Sequence, residues 1–399
     1  MSTQVLPQSY SLRGEFVRLL KLAAPLIVNN LALAGIGFAD TVMSATTLAA
    51  VGVGSSIWML VFLLALGILM AISPLGARHV GGGRPTEVGR YTRQGLWLAL
   101  GLAALIFTCV RFGAEPFVVT VGIDPGFRDL TIEYLRAIAF GAPAICLYLV
   151  LRNKKEAVGR TLPVMVVSII GLVVNVVGNY AFMFGNFGAP ALGAAGAGIA
   201  SALMMWSMLL CLFVHMVTSR HYREYRLFAF GGGPRGGYLK EILALGVPIM
   251  VSVLAEAGLF GAVSLLMGKL SASIAAAHLV ALNYASTMFM IPMGLNSAIT
   301  VLVSNAIGRD EVALARVRGY LGIAVCGLFM ALSATFMLVF RDEIVNLYSR
   351  DGDVQAIALS LLFVAAVFQI SDGIQVGAAG ALRGLQDTKV PMFLTTLSY

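Results

Sequence analysis

Charge is scarce in this sequence. Only 12% of its 399 residues are Asp, Glu, Lys or Arg, about half of the roughly 25% found in an average soluble domain. With 59% hydrophobic residues, too little polar surface remains to clothe a water-soluble globule of this length. Strict apolar–polar alternation is also missing. The apolar runs are long and continuous, which argues against a β-barrel and for an all-α polytopic membrane protein. The start, MSTQVLPQSYSLRGEF, has no short apolar core followed by a small-residue cleavage site, so the first span is expected to act as its own insertion signal. The four cysteines, Cys109, Cys146, Cys211 and Cys326, lie in or at the end of apolar runs without metal-ligand spacing and read as packing residues. There is no H-x-x-x-H, no G-x-x-x-x-G-K-[ST] and no nucleophile–base set. GGGRPTEVGR and FGGGPRGG follow membrane spans rather than strands, so they read as turns. The sequence therefore reads as a non-enzyme, and no cofactor is expected.

What the chain has in abundance is apolar runs of about twenty residues or more, the length needed to cross a bilayer core at 1.5 Å per residue. Charged or Gly/Pro-rich segments bound ten of them: 18–44, 48–77, 92–112, 132–152, 162–185, 193–218, 241–268, 274–306, 318–340 and 355–382. An eleventh begins at 389. The Lys and Arg residues between spans are unevenly placed. The N-terminus and alternate segments hold 21 of the 27, while the acidic residues outside the spans divide evenly. This is the positive-inside pattern. It places the N-terminus in the cytoplasm and accounts for the net charge of +8 without any nucleic-acid partner.

The two halves echo each other at an offset of 223 to 227 residues. Pro25 answers Pro248, GARHVGGGR answers NAIGRDE, and GRTLPVM answers QDTKVPM. Six spans separate the copies, so both halves enter the membrane in the same direction and form a parallel repeat. The expected organisation is an N-terminal lobe over 1–218, a linker over 219–240 and a C-terminal lobe over 241–399. By the repeat the second lobe is expected to hold six spans. The chain stops in its fifth, so that lobe is expected to be truncated.

Three acids lie deep within spans: Asp40, Glu256 and Asp372. No Lys or Arg is expected at comparable depth to pair with them. An unpaired carboxylate in hydrocarbon either takes up a proton or binds a cation, because desolvation disfavours the bare anion. That behaviour suits exchange of H⁺ or Na⁺ for a cationic substrate. The bland alternative is a protonated packing residue. Gln369 and Gln375 lie three residues either side of Asp372. Asn175 and Asn179, at i and i+4, form a polar pair that is expected either to offer oxygen ligands to a cation beside Asp40 or only to bond between helices. Phe38, Phe260, Phe289 and Met290 are candidates for lining a pocket for flat organic cations, with core or lipid-facing packing as the alternative.

The segments APLIVNNLALAGIGFADTVMS, NYAFMFGNFGAPALGAAGAGIASA, GVPIMVSVLAEAGLF, FMIPMGLNSAITVLVSNAIGR and FQISDGIQVGAAGALRGLQDTKVPM together resemble the multidrug and toxic compound extrusion (MATE) transporters, in particular their NorM-like branch. The resemblance implies two six-helix lobes that open alternately to either side, with Na⁺ or H⁺ exchanged for organic cations. It assigns the first-helix acid to Asp40, its asparagines to Asn175 and Asn179, and the NorM-type acids to Glu256 and Asp372. A monomer in the bacterial inner membrane is expected. A lipid-linked precursor flippase of the wider superfamily is the nearest rival, and it calls for a more cationic cavity. A channel or a non-transporting scaffold is the alternative of another class.

Overall fold

A computed structural model describes residues 11–44, 47–225 and 233–398. Among these residues the chain is helical, and ten helices are long and apolar enough to cross a membrane. The order is α1 (Leu12–Met43), α2 (Leu48–Leu69), α3 (Ile72–Gly81), α4 (Pro85–Val121), α5 (Pro125–Ile138), α6 (Ala142–Ala157), α7 (Leu162–Phe182), α8 (Gly193–Thr218), α9 (Gly236–Leu270), α10 (Ala272–Gly308), α11 (Val312–Val339), α12 (Arg341–Tyr348), α13 (Gly352–Gly384) and α14 (Lys389–Ser398).

Local chemistry sets many of the ends. Ser11 accepts from Gly14 N at 3.3 Å, Asp124 from Gly126 N at 2.7 Å and Ser271 from Ile274 N at 3.1 Å, satisfying amides that the first turn leaves orphaned. Pro85 and Pro125 open α4 and α5, where a missing N–H costs nothing. Pro143, in the first turn of α6, follows the 3₁₀ turn Ala139–Gly141, which splits the expected fourth span into α5 and α6.

Several boundaries differ from the sequence reading. Helix α4 covers Pro85–Val121 rather than 92–112, and α9 begins at Gly236, inside the expected linker. Polar residues such as Glu87, Arg90 and Arg93 propagate a helix well; they end an apolar run, not a helix. Of the linker, residues 220–225 form a short 3₁₀ segment and 226–232 lie outside the described residues. The expectation of a shortened second lobe draws no support from the helix arrangement.

The repeat is visible in three dimensions as paired contacts between the halves. A Cβ on Gly81 would lie 2.1 Å from Asn305 O, and one on Gly308 would lie 1.9 Å from Arg78 O. The two contacts are repeat mates: Gly81 and Gly308, and likewise Arg78 and Asn305, are 227 residues apart. Gly67 meets the backbone of Met250, and its counterpart Gly294 meets Ile27. Thus α2 crosses α9, and α10 crosses α1, with backbone against backbone. Turn geometry repeats too: Gly83 and Asp310 both adopt positive φ, as do Gly159 and Gln386. The Gly67 and Gly294 contacts lie deeper, midway along α1 and α9, and the Gly81 and Gly308 contacts and these turns lie at the end of the bundle where α1 starts. There Arg318 donates Nε to Glu15 Oε2 at 2.6 Å and Nη1 to Leu302 O at 2.9 Å, and Arg78 donates to Gln386 Oε1 at 2.6 Å. At the far end Gly37, Gly52, Gly258 and Gly261 have no atom within 4 Å of an added Cβ. The lobes are sealed at the basic end.

Within the second lobe a polar ladder joins α10 to α13. Asn296, Thr300 and Ser304, one turn apart, donate to the carbonyls of Val376, Gly380 and Gly384; the last two bonds are 2.9 and 2.7 Å. Gly380 and Gly384 let the backbones approach, as small residues do in membrane interfaces. Thr300→Val keeps the shape and removes one rung. It should cost about 0.6 kcal/mol, the mean for an interhelical bond in a membrane, read as a small fall in the unfolding midpoint in detergent. A loss above 2 kcal/mol would show that the ladder acts as one unit.

Candidate functional site

Asp40 stands on the last turns of α1, half-buried. Asn175 and Asn179 of α7 face it, and both are fully buried. Asn179 Nδ2 donates to Asp40 Oδ1 at 2.6 Å and lies 3.3 Å from Asn175 Oδ1. Ser201 of α8 also turns its hydroxyl toward the carboxylate, and the buried Tyr134 of α5 lies within its electrostatic reach. These four helices converge because their contact faces are small. Gly178 of α7 packs on Ala200 of α8, and Gly198 of α8 meets Tyr134 O of α5. The i, i+4 spacing of the asparagines therefore reaches Asp40, as the sequence suggests. Ser201 and Tyr134 were not legible: a serine in an alanine-rich helix and a tyrosine toward the end of a helix carry no distinguishing pattern.

Two buried atoms of this cluster, Asn175 Nδ2 and Asn179 Oδ1, have no hydrogen-bond partner among the described residues. A buried amide oxygen without a donor is costly. It is also the neutral oxygen that a hard cation takes as a ligand beside a carboxylate.

The second cluster lies in the other lobe. Asp372 of α13 is buried, and Glu256 of α9 is half-buried. The two carboxylates are close enough to repel. Gln369, one turn before Asp372, is 2% exposed, and both its amide atoms lack partners among the described residues. Gln375, by contrast, is half-buried. One expectation is corrected here. Arg383, in the last turn of α13, lies within electrostatic reach of Glu256 and donates Nη1 to Asn296 Oδ1 at 3.2 Å. The helix runs past its apolar stretch and carries this guanidinium inward, so the C-lobe acids have a cation at hand. With one Arg against two carboxylates, the cluster keeps room for one more positive charge.

The apolar candidates are scattered. Phe38 is 71% exposed. Phe260 packs edge-on against Phe368 at 6.3 Å between centroids, on the helix of Glu256. Phe289 and Met290 are half-buried, and Met290 O accepts from Asn30 of α1 at 3.5 Å. The structure thus brings Phe260 alongside the C-lobe cluster and gives Met290 a place at the seam between lobes. It does not gather the four into one wall. Among the described residues no group of three or more His, Cys, Asp or Glu could hold a metal ion. The first cluster thus holds one carboxylate among neutral amide and hydroxyl oxygens, and the second holds two carboxylates, one arginine and an amide.

Comparisons with known proteins agree with this architecture. The chain is 39% identical over 405 residues to the multidrug resistance protein PmpM of Pseudomonas aeruginosa, covering all of this chain and 85% of that protein. It is 38% identical over 394 residues to a probable multidrug resistance protein NorM of Shewanella oneidensis, covering 96% and 84%. Among solved structures, an outward-facing multidrug resistance MATE family transporter superposes with a TM-score of 0.87 at 20% identity, covering 95% of this chain and 84% of that one. A MATE in the straight conformation gives 0.88 at 19% identity, covering 96% and 86%. Residues 25–181 and 248–399 match the MatE family, and the chain belongs to that family of membrane transporters.

Proposed function

We propose that the chain is a secondary antiporter that exports organic cations from the cytoplasm in exchange for Na⁺ or H⁺. The observation that carries this reading is the pairing, in each lobe, of a membrane-depth carboxylate with a buried amide oxygen that has no donor: Asp40 with Asn179, and Asp372 with Gln369. Each pair has unspent capacity for a cation. The lobes proposed are 1–218 and 241–399, joined by 219–240. The positive-inside bias makes the sealed basic end cytoplasmic, so the structure corresponds to an outward-facing state. In that state a coupling ion arrives from outside at the carboxylates, offsets their charge and weakens their hold on a bound organic cation, which leaves. When the basic end opens, the ion departs to the cytoplasm and the carboxylates are again available to substrate. Coupling requires only that ion and substrate differ in affinity between the two states. The inner membrane is the proposed location, and the names of the relatives support a broad drug spectrum.

The reading is tested with Glu256→Gln and Asp372→Asn in vesicles, following ethidium efflux under separately imposed Na⁺ and pH gradients. Efflux should fall at least tenfold in each variant under the gradient that drives the native protein. Native rates in both would remove the C-lobe cluster from the coupling scheme.

A further inference from the structure

At the basic end, away from both acid clusters, the end of α6 carries two adjacent lysines that are fully buried, Lys154 and Lys155. Lys154 Nζ sits 3.9 Å above the Tyr222 ring and 4.3 Å above Tyr225, and it has no hydrogen-bond partner among the described residues. Lys155 Nζ lies 3.4 Å from Tyr222 Oη. The tyrosines belong to the 3₁₀ segment 220–225 that follows α8, so the aromatic rings close over the lysines like a cage. His221 of the same segment has a buried Nε2 without a partner. Arg160, in the turn before α7, is exposed and within electrostatic reach of Lys155, His221 and both tyrosines.

The charges here do not balance. Glu156 is taken by Arg152 at 2.8 Å, and among the described residues the field of Glu224 also reaches the cluster. Lys154, Lys155 and Arg160 form no salt bridge among the described residues. A buried lysine without a counter-ion tends to give up its proton, and an anion supplied from outside the chain beside Arg160 restores the charge on the pair. The position of the cluster says which kind. Directly toward the membrane lie exposed apolar side chains at the start of α7, Leu162 and Val166, and at the end of α8, Val214 and Val217. Helices α7 and α8 pack against each other, and these exposed apolar side chains offer surface to acyl chains next to the cationic end.

We infer that the exposed Arg160, backed by the positive field of the buried lysines and His221, binds the phosphate of an anionic phospholipid whose acyl chains lie along α7 and α8. The lipid pins the segment that joins the lobes to the first lobe. Basic pockets at the ends of spanning helices are suited to such headgroups.

The test uses the purified full chain in detergent, titrated with phosphatidylglycerol, with phosphatidylcholine of the same acyl chains, or with inorganic phosphate. Bound lipid is counted by native mass spectrometry, and the unfolding midpoint is followed in parallel. Phosphatidylglycerol should bind at least tenfold more tightly than phosphatidylcholine and raise the midpoint. Arg160→Gln, at an exposed site that leaves the fold intact, should cut that preference about fivefold, the value of one basic group near a lipid surface. Arg309→Gln, an exposed cation at the same end of the bundle, should leave it unchanged. Equal binding of the two lipids, an unaltered preference in Arg160→Gln, or stabilisation by inorganic phosphate equal to that by phosphatidylglycerol would each overturn the assignment.

Discussion

Asp40→Asn should leave the protein folded and reduce efflux at least tenfold. The substitution keeps the size of the side chain and one oxygen to accept from Asn179 Nδ2, which now lies 2.6 Å from the carboxylate. Asn175 and Asn179 stay buried and bonded to each other, so the four-helix junction loses little. What is lost is the charge. An amide beside two amides has no means of taking up H⁺ and only weak attraction for Na⁺ or an organic cation, so the cycle loses its coupling group in this lobe. Proteoliposome efflux under imposed gradients measures the loss, and the unfolding midpoint shows that the fold persists. Efflux above half the native rate would mean that Asp40 is a packing residue. Glu256→Gln makes a useful contrast. Asp40 lies fifteen residues after Pro25, whereas Glu256 lies eight after Pro248, about two helical turns different. The two variants should therefore differ in ion dependence and substrate profile.

The second large effect is expected at the seam. Gly308→Val should drive the lobes apart at the basic end, and Gly81→Val should do the same. In each case the new Cβ would fall about 2 Å from a carbonyl oxygen of the other half. A backbone carbonyl has no rotamer to yield, so the clash has to be relieved by separation. Overpacking of this kind costs about 1–3 kcal/mol, which moves a two-state equilibrium roughly 5- to 150-fold. Spin labels at positions 84 and 309, both exposed at this end, should report a long-distance population in the variants that is minor in the native protein. Because the two glycines are repeat mates, the shifts should match. An unchanged distance distribution in both variants would show that the sealed state survives by local adjustment.

Much of this was legible in the residues. Spans, their repeat and the three deep acids follow from apolar length, proline register and the high cost of charge in hydrocarbon. That Asn175 and Asn179 share one face followed from helical spacing, and that this face meets Asp40 was one of the two readings the spacing left open. Three things were not legible. Arg383 read as part of a cytoplasmic turn because hydropathy drops near it, yet α13 continues and carries it to Glu256. Ser201 reaches Asp40 only because Gly178 and Gly198 draw α7, α8 and α5 together, and that is a property of three helices at once. Lys154 and Lys155 read as positive-inside charges in water, whereas tyrosines from a segment nearly seventy residues later cover them. Charge on a sequence gives a side of the membrane; depth comes from whatever folds over it.

The crossings of α2 with α9 and α10 with α1 have one more consequence. Their contacts run glycine to main chain at Gly67 and Gly294, as do those of α3 with α10 at Gly81 and Gly308. Side chains that interlock must be withdrawn like teeth from a gear before two surfaces part. Peptide planes that merely rest on each other can roll. Where the joint is glycine on main chain it offers little to interlock, so the barrier to rocking should come from the Arg318–Glu15 clasp and from Leu19, Leu22, Leu295 and Ile299 packed between α1 and α10.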